Sequence, residues 1–340
     1  MRKVINVLLI IVLFGCGEAP EKVDSANHSA TEIIIKGKAQ GTTYTIKYLA
    51  ETYEEGLKEK FDSVLHEIDM SMSTYVPTSQ ISRLNDGDTV KVDPLFLAVY
   101  NLSKAINNLT DGAFDPTIGP LIKAWGFDYS DPQKMDSILV KSLLSNVGFD
   151  QFVVQSDTIY AKQEFARINF NAVAQGYSVD VMKKLLDDRG FDNYYIELGG
   201  ELIVKGHNKF NEDWIIGIDR PDGENFERNL AQRVKLKNSA MATSGNYRKF
   251  YEVDGKRYSH TLDPKTGYPA ENNLLSATVI ANDGGTADAL ATAFMVMGVE
   301  KTKVFLTKNP TIKAYLIMDK KGEGFQTYCS PSLENQLLKD

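Results

Sequence analysis

Cysteine is almost missing from this 340-residue chain: Cys16 and Cys329 are the only two, and histidine occurs four times. No pair of either residue has zinc-ligand spacing, so a zinc centre is excluded. A disulfide framework is excluded too, and the fold must rest on an ordinary core, which a chain of this length can supply. Cationic blocks are also missing. Lys and Arg number 38 against 45 Asp and Glu, for a net charge of −7, so nucleic acid is not an expected partner. Neither a G-x-G-x-x-G run nor a phosphate-binding P-loop occurs, which removes the regular dinucleotide-binding folds. From Thr31 onward there is no repeat, second linker or low-complexity tract.

Long apolar runs are lacking as well. VINVLLIIVLF, residues 4–14, is about half of the roughly 20 residues that span a bilayer. It follows the cationic start MRK and leads into Leu13-Phe14-Gly15-Cys16. A charged start, a short apolar stretch and small residues before a cleavage point describe a secretory signal. The L-x-G-C ending resembles a bacterial lipobox, which implies a signal peptide over 1–15 and lipid on Cys16. The chain is then expected in the bacterial cell envelope, anchored to the membrane and facing the periplasm. Residues 16–30 are small, polar and aperiodic, the composition of a flexible tether. Cys329 has no neighbour suggesting chemistry and reads as a structural thiol.

Apolar content of 43% and charged content of 24% are those of a folded soluble domain. EIIIKGKAQGTTYTIKYLA, interrupted by Gly, predicts a β-hairpin. Leu57, Phe61, Leu65, Ile68 and Met72 recur at three and four residues, an amphipathic helix. Pro94 at a first turn predicts a second helix to about Asn108. A third runs from Ala172 to Arg189, with Gly190 to end it. NYYIELGGELIVKG and WIIGIDRP read as strands joined by turns, and LLSATVIA as a buried strand. Helices and strands alternate irregularly, so the fold class is α+β, one unit over about 31–331.

GGTADALATAF, Gly284 to Phe294, places Asp288 and Thr292 one helical turn apart on one face. With a carbonyl or waters, these oxygens suit a hard cation such as Mg²⁺. Alternatively, Thr292 bonds back to the i−4 carbonyl and Asp288 caps the helix. Ser244, His260 and Asp263 fall among glycine turns in a polar loop region, where function usually resides. Asp263 would orient the imidazole of His260 if the chain turns there; a structural histidine is the other reading. Gly199-Gly200 permits close approach of backbone to a ligand, or merely a tight turn.

Six blocks taken in order carry a resemblance: SMSTYVPTSQISRLN (71–85), AFDPTIGPLIKAWGF (113–127), NFNAVAQGYSVD (169–180), ELGGELIVKG (197–206), ATSGNYRKFYEVDGKRYSHTLDPKTGYP (242–269) and TADALATAF (286–294). Together they resemble the FAD:protein FMN transferases, the ApbE family, over about residues 31–330. The resemblance implies an ApbE-like, T-fold-related arrangement of mixed sheets packed with helices. It implies an enzyme that splits FAD at its pyrophosphate, moves FMN to a Thr or Ser hydroxyl of a partner flavoprotein as a phosphoester, and releases AMP. Mg²⁺ would be held by Asp288, Thr292 and the Ala172 carbonyl. FAD contacts would fall on Gln40, Tyr75, Ala113, Phe114, Asp115, Gln175, Ser244, His260 and Leu262, with His260 as base. The acceptors implied are subunits of membrane redox pumps of the sodium-translocating quinone reductase or Rnf type.

Three departures from the family pattern stand out. Gln175 replaces the usual Lys, removing a cation beside the phosphates. Asn171 replaces a Gly next to Ala172, and Gly284-Gly285 stand where bulkier residues are common, which predicts a looser start to the metal helix. Two other functions remain compatible with the sequence: an FAD pyrophosphatase that uses water, and a non-catalytic flavin-binding lipoprotein. A purely structural envelope lipoprotein would leave the six blocks unexplained.

Overall fold

The computed structural model describes residues 30–128, 130–221, 229–246, 250–253, 256–259, 261–320 and 324–338. The signal segment, Cys16, nearly all of the tether and His260 lie outside the described residues.

The predicted hairpin is β1 (Thr31–Ala39) and β2 (Thr42–Ala50). Gln40 and Gly41 turn it with positive φ of 53° and 72°. The heptad-like helix is α1 (Leu57–Met72), and its five spaced apolar residues are all buried. A short α2 (Gln80–Asn85) leads to β3 (Val90–Lys91) and then α3 (Pro94–Leu109), where the Asp93 carboxylate accepts from Phe96 N–H as N-cap. Helices α4 (Gly119–Trp125) and α5 (Ser137–Leu144) precede β4 (Phe152–Gln155) and β5 (Thr158–Ala161). Strands β3, β5 and β4 form a small separate sheet. Helix α6 (Ala174–Asp187) ends before Gly190, whose φ of 78° suits a residue without Cβ.

Next come β6 (Tyr194–Leu198), β7 (Glu201–Lys205), β8 (Trp214–Asp219), β9 (Leu230–Leu236) and β10 (Ser239–Gly245). A hairpin of β11 (Phe250–Val253) and β12 (Lys256–Ser259) follows. The chain then runs through β13 (Leu274–Ala281), α7 (Gly284–Lys308), β14 (Lys313–Asp319) and β15 (Phe325–Cys329). The main sheet has the order β1-β2-β6-β7-β10-β13-β14-β15, and all its ladders are antiparallel.

Both faces of the sheet's centre are covered, which explains why LLSATVIA is apolar without alternating. Val279 and Ala281 face a core shared with the helices, whereas Ile280 faces a smaller core under the β8–β9 hairpin. In β7, Ile203 points to the helices and Leu202 and Val204 to the hairpin. Helix α7 lies against β10 and β13, and its Ala287, Ala289, Ala291 and Ala293 are fully buried. Small side chains let the helix approach the sheet closely.

Helix α7 is broken at Gly298, with φ 70° and ψ 179°. The break reverses the chain, so antiparallel β13 and β14 can pair as neighbours although a helical excursion separates them. The Asn272 amide donates to the Met295 carbonyl (2.9 Å), and Thr302 Oγ1 to the Gly298 carbonyl (2.7 Å). Phe294 and Phe305 meet edge to face across the break, with ring centres 5.2 Å apart. Phe294 is fully buried, and truncating such a side chain costs about 3–5 kcal/mol.

Candidate active site

A cleft of about 1630 Å³ opens between the helical layer, the main sheet and the β8–β9 hairpin. Its lining includes Tyr75, Ala113, Phe114, Asp115, Ala172, Gln175, Ser244, Leu262, Asp288 and Thr292. Ten predicted site residues therefore share one cavity although they span more than two hundred positions.

The floor is built where α6 and α7 cross at their N-terminal ends. A Cβ on Gly176 would lie 2.2 Å from the Gly284 carbonyl oxygen and 2.5 Å from Asp288 Cβ. A Cβ on Gly284 would lie 2.2 Å from the Gly176 oxygen. Only paired glycines allow this crossing. Gly284-Gly285 therefore tighten the start of α7 rather than loosen it. The Asp180 carboxylate accepts from both of their N–H groups, at 2.7 and 2.9 Å. Burial pushes the Asp180 carboxyl up to about 7, although these two donors pull the other way.

The crossing brings Gly176 N–H to Asp288 Oδ2, at 3.1 Å. Gly176 lies in the first turn of α6, where an N–H has no acceptor within the helix, and Asp288 supplies one. No hydrogen bond among the described residues reaches the Ala172 carbonyl, so it stays available as a ligand. Asp288 is 6% exposed, and burial pushes its carboxyl up to about 7, with Asp180 adding to the rise. Thr292 hydrogen-bonds Ser244 Oγ at 3.1 Å; it does not bond back to its own helix. The cap of α7 is Asp283, which accepts from Thr286 N–H (2.7 Å). Both alternative roles for Asp288 and Thr292 are thus filled otherwise.

The other walls are held from outside. Thr110 Oγ1 accepts from Phe114 N–H (3.2 Å), and Asn107 Nδ2 donates to the Phe114 carbonyl (2.8 Å), fixing the 113–115 loop. Asp115 accepts from the N–H and hydroxyl of Thr117, at 2.8 and 2.6 Å, while burial raises its pKa. Tyr75 is 60% exposed at the mouth, and its Oη accepts from Asn171 Nδ2 at 3.3 Å. Gly199 and Gly200 form the two-residue β6–β7 turn with φ of 66° and 116°. A Cβ on Gly199 would meet the Gln175 amide at 3.1 Å, whereas the space around Gly200 is open. The turn thus serves both readings, a tight hairpin and a bare backbone facing the cleft.

One predicted residue is not brought to this lining. Gln40 turns its amide to Ser178 Oγ (2.7 Å) and leaves Oε1 buried without a partner. His260 lies outside the described residues. Asp263 caps its own turn, accepting from Lys265 N–H at 2.8 Å. Sequence reading overlooked Glu201, buried at 9% exposure and lining the same cleft. The available signal was an acid between a glycine turn and the apolar LIV of β7. Burial first, then the charge of Asp288, raises its carboxyl well above the ordinary range.

The donors gathered here are oxygens alone: carboxylates, hydroxyls and a free carbonyl. No group of three or more His, Cys, Asp or Glu that would hold a metal occurs among the described residues. An oxygen set of low charge suits a hard, partly hydrated cation that shares its shell with a phosphate ligand, and does not suit zinc. Among the described residues, no helix is long and apolar enough to cross a membrane.

An antiparallel α+β layer with an oxygen-lined cleft beside crossed helix N-termini defines the class, and the comparisons agree with it. The ApbE family model matches residues 40–316, and the chain belongs to that family. It is 32% identical over 341 residues to an FAD:protein FMN transferase of Vibrio cholerae, covering 97% of each chain. A relative of the same name from Escherichia coli K12 is 33% identical over 348 residues, covering 98% of this chain and 97% of its own. Among solved structures, the flavin transferase ApbE of Vibrio cholerae superimposes with a TM-score of 0.80 at 32% identity, covering 90% of this chain and 99% of that one. The apo flavinyl transferase ApbE of Pseudomonas stutzeri gives 0.81 at 29% identity, with 90% and 97% covered.

Proposed function

We propose that this protein transfers FMN from FAD to a Ser or Thr hydroxyl of a partner flavoprotein and releases AMP, with Mg²⁺ held by Asp288, Thr292 and the Ala172 carbonyl. Transfer of FMN from FAD to a protein follows from membership of the family and from relatives that carry this activity as their name. The observation that carries the finer reading is the meeting of Asp288, Thr292 and Ala172 on one wall of the cleft. Its volume exceeds the several hundred Å³ that an ordinary small-molecule pocket offers, leaving room for FAD and an acceptor segment together.

In the reaction, the acceptor oxygen forms a bond to the phosphorus bearing riboflavin. The bond from that phosphorus to the AMP oxygen breaks, and AMP departs as its phosphate anion. When bound, Mg²⁺ supplies charge neutralisation on the pyrophosphate and favours departure of AMP. Ser244 holds the Thr292 hydroxyl in place through their mutual hydrogen bond. Tyr75 offers an aromatic face at the mouth for the flavin. His260 is the proposed base, taking the proton of the attacking hydroxyl and contributing on the order of 10²–10⁴-fold. Gln175 can hydrogen-bond a phosphate but does not neutralise it, so charge compensation falls mainly to the cation.

The sequence supports a lipid anchor at Cys16, an envelope location facing the periplasm, and acceptors among subunits of sodium-translocating quinone reductases or Rnf-type pumps. The test is incubation of the purified chain with FAD, Mg²⁺ and such a subunit. In-gel flavin fluorescence on the acceptor with stoichiometric AMP is expected, and both are lost with EDTA. Free FMN without labelled acceptor would instead establish a pyrophosphatase, and FAD binding without AMP a carrier.

A further inference from the structure

Glu201 opens β7 directly after the Gly199–Gly200 turn. Along a strand, alternate residues share a face. Glu201 therefore points with Ile203 toward the helical layer, where α7 carries Asp288. It lines the cleft, is nine-tenths buried, and its Oε2 accepts no hydrogen bond among the described residues. Neither Glu201 nor Asp288 has a Lys or Arg partner among the described ion pairs and hydrogen bonds. A buried carboxylate oxygen without a donor is unfavourable by itself, and a second buried carboxylate lining the same cleft compounds it. A divalent cation shared by the unpartnered Glu201 Oε2 and the Asp288 carboxylate relieves both.

We propose that Glu201 is a second acidic ligand of the divalent-cation site, so the protein presents two carboxylates to the ion, not one. This inference rests on the cation reading of Asp288 and Thr292. Two carboxylates raise affinity for a divalent ion and disfavour a monovalent one, since affinity at oxygen sites is tuned by the number of charged ligands. They also hold the ion before FAD supplies its phosphate oxygens. Mg²⁺ should therefore bind the protein without FAD.

The test is calorimetric titration of Mg²⁺, in the absence of FAD, into the wild-type domain and into E201Q, E201D and D288N. E201Q, which keeps the shape and removes the charge, is expected to weaken Mg²⁺ binding by about 10–100-fold. E201D should retain most of the affinity, and D288N should lose binding. Thermal unfolding is read on the same samples. The metal-free E201Q should melt higher than wild type, because repulsion between buried carboxylates is gone, and should gain less from added Mg²⁺. If Gln at 201 prevents folding, E201D against E201N gives the same contrast of charge at constant shape. Wild-type affinity in E201Q with binding lost in D288N overturns the role of Glu201 and leaves the cation site standing. A lower melting point in E201Q at unchanged affinity would make Glu201 purely structural and likewise overturn it. No binding by wild type would overturn the cation reading, and this inference with it.

Discussion

Replacing Gly176 with Ala separates two effects that usually coincide. In an ordinary helix the change stabilises by about 1 kcal/mol, because Ala restricts the unfolded chain. Here the new methyl would lie 2.2 Å from the Gly284 carbonyl oxygen and 2.5 Å from Asp288 Cβ. Ordinary contact for such atoms is roughly 3.2 Å or more, so α6 and α7 must part by roughly 1 Å at their crossing. Overpacking of this kind costs about 1–3 kcal/mol. Parting also stretches the Gly176 N–H bond to Asp288 Oδ2 from 3.1 Å beyond useful range, and hydrogen bonds to charged groups contribute about 1.5–3 kcal/mol. The balance is a destabilisation of about 2 kcal/mol or more, a fall of about 3 °C or more in Tm for a domain of this length. A displacement near 1 Å at Asp288 should lower FMN transfer by about 10²-fold. Calorimetry and AMP release by chromatography measure the two quantities. Because G176A and G284A overpack the same crossing, their double variant should lose less than the sum of the singles. A G176A protein that melts higher than wild type and transfers FMN at the normal rate would refute the argument from the crossing.

Asp288→Ala should abolish AMP release while FAD still binds by fluorescence quenching; wild-type release would remove the centre of the proposed mechanism. Tyr75→Ala should raise KM for FAD several-fold with little change in kcat, as expected for loss of an exposed stacking face, measured by steady-state kinetics. At Asp187 burial alone would raise the carboxyl, but donation from Lys183, Lys205 and Tyr194 outweighs it and brings the pKa to about 2. A depressed carboxyl stabilises the fold above its ordinary range and loses that contribution as pH falls toward 2. For this partly solvated group the loss is on the order of 1 kcal/mol after screening. Asp187→Asn should flatten the acid limb of the stability curve between pH 5 and pH 2, followed by urea unfolding, and an unchanged limb would disprove the assignment.

Much of this organisation was legible in the residues. Leu57 to Met72 announces α1 because one stripe of it is buried, and Gly190 announces the end of α6 because its φ is positive. The pairing of Asp288 with Thr292 is legible because helical spacing is local. Contacts across long sequence separations leave no local trace. Nothing near residue 176 states that residue 284 will cross it, so Gly284 and Gly285 read as slack rather than as a fitted joint. Glu201 was hidden by its own neighbours: the glycines draw the eye as a turn, and an acid at a strand start usually faces solvent. The small sheet of β3, β5 and β4 is made of strands as short as two residues, too brief for a period to show.

The interruption at Gly298 has a corollary for chain length. The first limb of α7 carries Asp288 and Thr292, and the Asn272 amide closes it at Met295. The returning limb, with Val304 turned to solvent, meets the first through the Phe294–Phe305 contact. A change of length after residue 298 falls beyond that clasp and leaves the spacing of Asp288 and Thr292 along the first limb unaltered.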